Sequence, residues 1–460
     1  MSAPPRKRRR TGLWLSAVTA LLLVAAVAAL LVVRPGPVQA LLGGAAPSPS
    51  AEPSPAPPPA VLTAASGAPV PTESGLGAAI DGLATDSRLG RLSASVVDVE
   101  TGEQLYERNS QDPVVPASVT KLVTAAAVLS ARGPSYRLAT RAVAGSQPGD
   151  VVLVGGGDPT LAVDAGDTYA GAARLDQLAA QVKRHLGNRK PTRVLVDASV
   201  FTGPTAGPGW DADIANSGFA GYITGLMVNG GRIDPDRRAP RATKPELAAG
   251  RAFAKLLGVP EESVVTGEAS KGATALGVVK SPPLIRLVET MLLDSDNVIA
   301  EALARQVALA RHGEPTFDGA AKATTEVMDE LGLPSEQLTL SDGSGLSGHD
   351  KLTTSLLSSL LTYAANKQHP ELAALFTGLP VAGYSGTLHD RFGRESSAVG
   401  LVRAKTGTLN GVSSLTGIVV DADGRLLGFS LIANQVPGGS DGAESALDEI
   451  AAKLAACGCR

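Results

Sequence analysis

Between Arg10 and Arg34 the chain runs for 23 residues, Thr11 to Val33, without a charge. A helix rises about 1.5 Å per residue, so such a run crosses the roughly 30 Å hydrocarbon core of a bilayer. Arg6, Lys7, Arg8, Arg9 and Arg10 stand directly before it. Basic flanks stay cytoplasmic, so residues 1–34 are expected to be a basic tail and single-pass anchor in the cell membrane, with everything after Arg34 outside. The alternative is a protein secreted after cleavage of a signal at Val38-Gln39-Ala40, although the apolar part of a signal is usually about 7–15 residues. Either reading makes the body fold outside the cytoplasm. Residues 35–72 form a Pro/Ala/Ser-rich linker that includes Pro47-Ser48-Pro49-Ser50 and Pro57-Pro58-Pro59. Such a composition buries no core and makes an extended spacer.

The formal net charge is -3, and the six positives of residues 1–34 leave about -9 on the rest. An acidic body excludes a nucleic-acid partner, which needs a basic face. Its two cysteines, Cys457 and Cys459, lie at the C-terminus, and no Cys/His cluster has zinc-ligand spacing. No metal and no cofactor is therefore expected. The two cysteines can form a local disulfide, pair with another chain or stay reduced; the plain reading is a tail with no catalytic role.

From about residue 73 the texture is globular. Gly75–Leu83 has helical spacing, and Leu92–Val99 with Gln104–Glu107 reads as a β-hairpin across Thr101-Gly102. Ser118–Ala131, between Pro116 and Gly133, predicts a helix. Residues 136–280 then carry many glycines and prolines, strand-like runs at Val151–Val154 and Arg193–Val196, and a helical segment at Pro245–Leu257. Pro282–His312 is helical again, Leu415–Val420 and Leu426–Ala433 are strands around Asp421-Ala422-Asp423-Gly424, and Leu447–Ala456 is a closing helix. The pattern predicts an α/β domain made of residues 73–135 and 281–460, interrupted by a large, mainly β insertion at 136–280. No internal repeat is visible.

Three short motifs carry chemistry. In Ser118-Val119-Thr120-Lys121 the serine and lysine share one helix face, where they can exchange a proton. A serine needs such a base to become a nucleophile, and lysine can serve only if its pKa is lowered. Ser118 is the only serine three residues ahead of a lysine. In Ser295-Asp296-Asn297, three polar residues interrupt two apolar helical stretches. They supply either a solvated break or a proton-relaying hydroxyl with an orienting amide. Lys405-Thr406-Gly407-Thr408 opens strand-like sequence. There a cation, two hydroxyls and a glycine can hold a carboxylate while the strand edge pairs with an extended peptide.

Taken in order, Ser-x-x-Lys, Ser-Asp-Asn and Lys-Thr-Gly resemble the signature of penicillin-binding proteins and serine β-lactamases. Further segments narrow the likeness: Gly155-Gly156-Gly157-Asp158-Pro159, Ser281-Pro282-Pro283-Leu284, Asp342-Gly343-Ser344-Gly345-Leu346-Ser347, Leu379-Pro380-Val381-Ala382-Gly383 and Gly386-Thr387-Leu388. Over residues 75–450 the chain resembles the D-alanyl-D-alanine carboxypeptidase/endopeptidase family of low-molecular-mass penicillin-binding proteins, which insert extra domains between the first two motifs.

That resemblance implies a serine β-lactamase/transpeptidase-like domain, an antiparallel sheet with helices. It implies that Ser118 attacks the carbonyl between two D-alanines of a peptidoglycan stem peptide and that Lys121 is its base. Ser295 would pass a proton to the leaving amine, and Asn297 would hold the substrate amide. Lys405, Thr406, Gly407 and Thr408 would bind the terminal carboxylate, with the Ser118 and Thr408 N–H groups as oxyanion hole. β-Lactams would acylate Ser118 and inhibit. Repulsion between Lys121 and Lys405 is expected to lower the pKa of Lys121. Asp342–Ser347 is expected either to edge the site or only to pack, and Asp158-Pro159 to be a turn. The competing readings are a β-lactamase, which also needs a Glu-x-x-Leu-Asn after Asn297 that is missing here, and an inactive wall-binding protein. A Ser-His-Asp esterase is disfavoured because Gly383-Tyr384-Ser385-Gly386-Thr387 falls one glycine short of a Gly-x-Ser-x-Gly elbow and His349 and His389 read as surface residues or residues behind the site rather than triad members.

Overall fold

The computed structural model describes residues 65, 67–166, 168–234, 239–393 and 396–460. The expected anchor at Thr11–Val33 and most of the linker lie outside the described residues. Among the described residues, no helix is long and apolar enough to cross a membrane.

Helix α1 (Glu73–Ala84) leads into β1 (Arg91–Asp98), β2 (Gln104–Arg108) and helix α2 (Thr120–Arg132). Next come β3 (Ala139–Ala144), β4 (Asp150–Val154), α3 (Leu175–Leu186), β5 (Arg193–Asp197), α4 (Pro245–Leu257), β6 (Val264–Thr266) and β7 (Ala275–Lys280). Helices α5 (Leu284–Asp294), α6 (Asn297–Ala310), α7 (Phe317–Glu330) and α8 (Thr354–Ala365) precede β8 (Val402–Leu409), β9 (Val412–Val420), β10 (Leu426–Asn434) and α9 (Ser440–Ala455).

One sheet has the order β2-β1-β10-β9-β8 and is antiparallel throughout. Its first two strands precede the second sheet in sequence and its last three follow it, so the chain leaves this sheet and returns. Helices α1 and α9 cover one face, with Leu76, Ile80, Leu447 and Ile450 buried against Leu92, Leu415 and Phe429. On the other face, Ile418 and Ile432 join a core built by α2, α5, α6, α7 and α8. Burial on both faces explains why these strands read as near-continuous apolar runs instead of clean alternation.

Helix α2 has no solvated face: every residue from Thr120 to Leu129 is buried. Its Thr124-Ala125-Ala126-Ala127 stretch favours helix and lets neighbours approach closely. Helix α6 is likewise buried from Val298 to Ala308. The two most enclosed helices therefore begin at the two motifs that hold serines, which fixes both motifs on rigid supports.

The second sheet runs β6-β5-β4-β3-β7, with β4, β5 and β6 parallel and β3 antiparallel to β4 and β7. Parallel neighbours need crossovers, and α3 and α4 supply them. This part of the chain thus holds more helix than its sequence texture suggested. Helix α3 buries Leu175, Leu178, Ala179 and Val182, a plain i, i+3, i+4, i+7 stripe. The glycine run at Gly155–Gly157 is there for close approach: a Cβ on Gly155 would meet the Gly225 carbonyl oxygen at 2.2 Å. Asp158 folds back on Thr160, accepting from its N–H at 2.9 Å and its hydroxyl at 2.6 Å, and so forms the expected turn.

The C-terminus is ordered by contacts rather than loose. Cys457 and Cys459 are paired with each other, their Cα atoms 5.0 Å apart. The Thr72 N–H donates to the Cys459 carbonyl at 2.8 Å and the Ala422 N–H to the Cys457 carbonyl at 3.1 Å.

Candidate active site

Ser118 lies on a single 3-10 turn, Ala117–Val119, that runs straight into α2. The sequence pattern placed it on the helix itself. The turn tightens because Ala117 adopts a left-handed φ of 53°, a conformation that costs an L-residue about 1–2 kcal/mol. The surroundings hold it there. Ser414 Oγ donates to the Pro116 carbonyl at 2.8 Å and Thr120 Oγ1 to the Ala117 carbonyl at 3.0 Å. Gly345 leaves the space: a Cβ there would meet the Ala117 carbonyl oxygen at 1.9 Å.

Lys121 is completely buried. Its ammonium donates to Ser118 Oγ at 2.9 Å, to Asn297 Oδ1 at 2.6 Å and to the Ser344 carbonyl at 2.7 Å. Those are as many partners as an ammonium has protons. Burial lowers its pKa to about 8, against the carboxylates of Asp342, Glu301, Asp296 and Asp350, which pull it upward. The direction expected from the sequence holds, but the leading cause is desolvation rather than a neighbouring cation.

Ser295 ends α5 in a left-handed conformation, φ 55°. Asp296 then caps α6, its Oδ1 accepting from the N–H groups of Val298 and Ile299 at 2.9 and 3.0 Å. These two residues break the single helical pattern of 282–312 into α5 and α6. The break turns Ser295 and Asn297 toward the two lysines: Lys405 Nζ donates to Ser295 Oγ at 2.9 Å, and Lys121 Nζ reaches Asn297 Oδ1. Asn297 Nδ2 donates to the Phe219 carbonyl of the second-sheet region at 3.0 Å. Burial pushes the Asp296 carboxyl up, but Arg232 and the Tyr169 hydroxyl outweigh it, and the group stays below the usual carboxylate range.

Strand β8 is the sheet edge. The segment at Pro380–Val381 covers its first half, where the Ala404 N–H donates to the Pro380 carbonyl at 3.0 Å and Val381 bridges Arg403. Thr406 and Thr408 then line an open cleft of about 600 Å³, together with Ser118, Ser295, Asn297, Phe219, Arg232, Arg241 and Glu444. Lys405 is fully buried behind that wall and also donates to the Thr406 carbonyl at 2.7 Å. Both lysines therefore touch the cleft through a serine. Thr406 Oγ1 lies 2.7 Å from Thr387 Oγ1, and Thr408 Oγ1 donates to Glu444 Oε1 at 2.8 Å.

Asp342–Ser347 edges the site from beneath. Asp342 collects the N–H groups of Ser344 and Gly345 at 3.0 and 2.7 Å on Oδ1. Its Oδ2 takes the Ser347 N–H at 2.7 Å and Trp210 Nε1 at 2.8 Å. This knot presents the Ser344 carbonyl to Lys121. Glu301 of α6 grips the same loop by accepting from the Gly343 N–H at 3.1 and 3.0 Å.

Every sequence-selected site residue, Ser118, Lys121, Ser295, Asn297, Lys405, Thr406, Gly407 and Thr408, is brought to this one place. Sequence reasoning missed Glu301, Tyr169, Arg232 and Glu444. Only Glu301 left a signal, as a carboxylate amid the apolar Val298–Leu303 run. His389 pairs with Asp390 at 2.7 Å on the surface, and Ser385 Oγ accepts from the Val381 N–H at 3.0 Å within a turn, so neither belongs to a triad.

A sequence profile of the D-Ala-D-Ala carboxypeptidase 3 (S13) family matches residues 76–243 and 235–454. The chain is 41% identical to "Carboxypeptidase Rv3627c" of Mycobacterium tuberculosis over 91% of each chain. It is 39% identical to "Carboxypeptidase DacB" of Mycolicibacterium smegmatis over 99% of each. The crystal structure of penicillin binding protein 4 (dacB) from Haemophilus influenzae superposes with a TM-score of 0.69, covering 81% of this chain and 98% of that one at 22% identity, and so shares the fold.

Proposed function

The chain belongs to the D-Ala-D-Ala carboxypeptidase 3 (S13) family and is a serine-type peptidase acting on peptidoglycan; from that premise we propose that Ser118 is its nucleophile and Lys121 its base. The carrying observation is the Lys121 ammonium, buried, lowered to about 8 and 2.9 Å from Ser118 Oγ. Once deprotonated, Lys121 takes the Oγ proton as Oγ attacks the carbonyl carbon of the penultimate D-alanine. The N–H groups of Ser118 and Thr408 receive the oxyanion, where one donor is worth about 2.7–4 kcal/mol. Ser295 relays the proton taken by Lys121 to the departing amine of D-alanine, and Lys405, behind it, holds that hydroxyl in place. Asn297 fixes Lys121 and the substrate amide. Thr406 and Thr408 present hydroxyls to the terminal carboxylate, with the buried Lys405 charge behind them. Water then cleaves the ester and returns Ser118. The edge of β8 beyond Ala404 receives the peptide as an added strand. A β-lactam opens on the same oxygen and blocks the enzyme.

The same reading places the body outside the cell membrane, held by the basic tail and the charge-free Thr11–Val33 run. The Cys457–Cys459 pair supports it, since disulfides persist in oxidising compartments. Fractionation decides between an anchored and a secreted form.

Labelling of the purified full-length chain with a fluorescent penicillin tests the chemistry. The wild type is expected to carry a covalent label and Ser118→Ala none; a folded wild type that takes no label overturns the proposal.

A further inference from the structure

The second-sheet region meets the site at the Asn297 amide through the Phe219 carbonyl, at Asp342 through Trp210, and at one buried carboxylate, Asp296. Asp296 Oδ1 caps α6, and Asp296 Oδ2 accepts from the Tyr169 hydroxyl at 2.7 Å and from Arg232 Nη2 at 3.3 Å. The pair is enclosed, with side chains only 4% and 6% exposed for Arg232 and Asp296. Arg232 Nη1 also donates to the Tyr169 hydroxyl oxygen at 2.7 Å and to the Asn229 carbonyl at 2.9 Å. Its guanidinium carbon lies 5.2 Å from the Tyr169 ring centroid. The Asn229–Gly231 turn closes over the group: a Cβ on Gly230 would fall 2.9 Å from the Tyr169 hydroxyl and 3.0 Å from Arg232 Nη1. Arg241 fastens that turn by donating from Nη1 to the Gly230 carbonyl at 2.8 Å.

A helix cap does not require this. One carboxylate oxygen suffices for capping, and water can serve the other. Burying an ion pair carries a desolvation penalty that its own attraction often only offsets, so stability alone is a poor reason for the arrangement. The neighbours of Asp296 give a better one. Ser295 takes the Lys405 ammonium and Asn297 takes the Lys121 ammonium, so a small rotation about Asp296 moves both contacts together.

We propose that Tyr169 and Arg232 are positioning residues for the reaction: by clamping Asp296 they hold Ser295 and Asn297 against Lys405 and Lys121. This rests on the assignment of Ser118 and Lys121 as nucleophile and base. The segment inserted between α2 and α5 is then part of the working site. Arg232 also lines the cleft, whereas Tyr169 touches Asp296 from behind it, so the Tyr169 hydroxyl acts on the rate of acylation and leaves ligand capture alone.

The test uses the full-length chain and a fluorescent penicillin. For Tyr169→Phe, Arg232→Lys, Asp296→Asn and the Tyr169→Phe/Asp296→Asn double variant, the limiting acylation rate, the half-saturating concentration and the melting temperature are measured. Tyr169→Phe is expected to slow limiting acylation about tenfold or more, with half-saturation within about twofold. Arg232→Lys, which keeps the charge but loses the fork, is expected to slow limiting acylation alike, and because Arg232 also lines the cleft only its rate is read. The double variant is expected to be no slower than Asp296→Asn alone, because the hydroxyl works only through that carboxylate. A wild-type rate in Tyr169→Phe, or additive losses in the double variant, overturns the clamp while leaving the nucleophile assignment intact. Loss of rate with an equal rise in half-saturation in Tyr169→Phe also overturns it. A wild type that takes no label removes the premise instead.

Discussion

Gly407 and the amide of Ser118 lie so close that no side chain fits between them: a Cβ on Gly407 would fall 2.8 Å from the Ser118 nitrogen and 2.2 Å from Ser414 Oγ. The strand edge and the nucleophile turn are in contact through backbone, which is why a glycine stands between Thr406 and Thr408. Gly407→Ala must push β8 or the turn aside, and either movement is expected to spoil the proposed oxyanion hole of Ser118 and Thr408 N–H groups. The expected result is an acylation rate about a hundredfold lower in a protein that still folds. Acylation at the wild-type rate would place the oxyanion elsewhere.

The motifs announced this meeting, yet not its geometry. Ser118, Ser295 and Lys405 were readable because each needs only a local pattern. Their supports were not readable, since Tyr169 and Arg232 meet Asp296 across 127 and 64 residues of chain. No local pattern encodes a contact at that range. Helix α3 was a different failure, because its apolar stripe was present and was masked by the glycines and prolines around it. The lowering of Lys121 was foreseen, with repulsion from Lys405 as its expected cause, whereas burial produces it, and burial is a property of packing that a single sequence conceals.

The buried lysine sets a pH dependence with a definite sign. Its folded pKa of about 8 lies below the ordinary 10.5, and only the neutral amine can take a proton from Ser118. The acylation rate is therefore expected to rise about tenfold per pH unit up to about 8 and then level off. Between about pH 8 and 10.5 the unfolded state binds more protons than the native one, so this group makes stability increase across that range. Lys121→Met is expected to abolish acylation and to flatten that part of the stability curve. Urea titrations of both proteins at pH 8 and pH 10 give the difference, and parallel curves would contradict the lowered value.

Glu444 is expected to compete with the substrate for Thr408. In the free protein the Thr408 hydroxyl donates to Glu444 Oε1 at 2.8 Å, so it must leave that carboxylate before it can serve another. Arg391 offsets the charge only in part, its Nη1 standing 3.8 Å from Glu444 Oε2. Glu444→Gln keeps an acceptor and removes the charge. KM for a peptide ending in D-Ala-D-Ala is expected to fall about two- to fivefold with little change in kcat. The gap between variant and wild type should narrow as salt rises. An unchanged KM would show that the terminal carboxylate does not bind beside Thr408.

Glu301 holds the loop that holds Lys121, and it also opposes the lowering of that lysine. Its carboxyl is buried, and burial first, then the charge of Asp342, raises it to about 7. Above that pH the ionised Glu301 pulls the Lys121 ammonium up, so the pair resists full deprotonation of the base just where activity should peak. Glu301→Gln keeps an oxygen for the Gly343 N–H and deletes the charge. The midpoint of the acylation profile is expected to move to lower pH, and the variant to outpace the wild type most clearly between about pH 7 and 8. The raised carboxyl also makes the native state hold its proton longer than the unfolded chain. Its contribution to stability is therefore full below about pH 4.5 and lost as pH rises through about 7; the glutamine variant lacks that decline. A profile that stays in place while stability changes would mean that Glu301 serves only the loop, and that the electrostatics of Lys121 are set by Asp342, Asp296 and Asp350 without it.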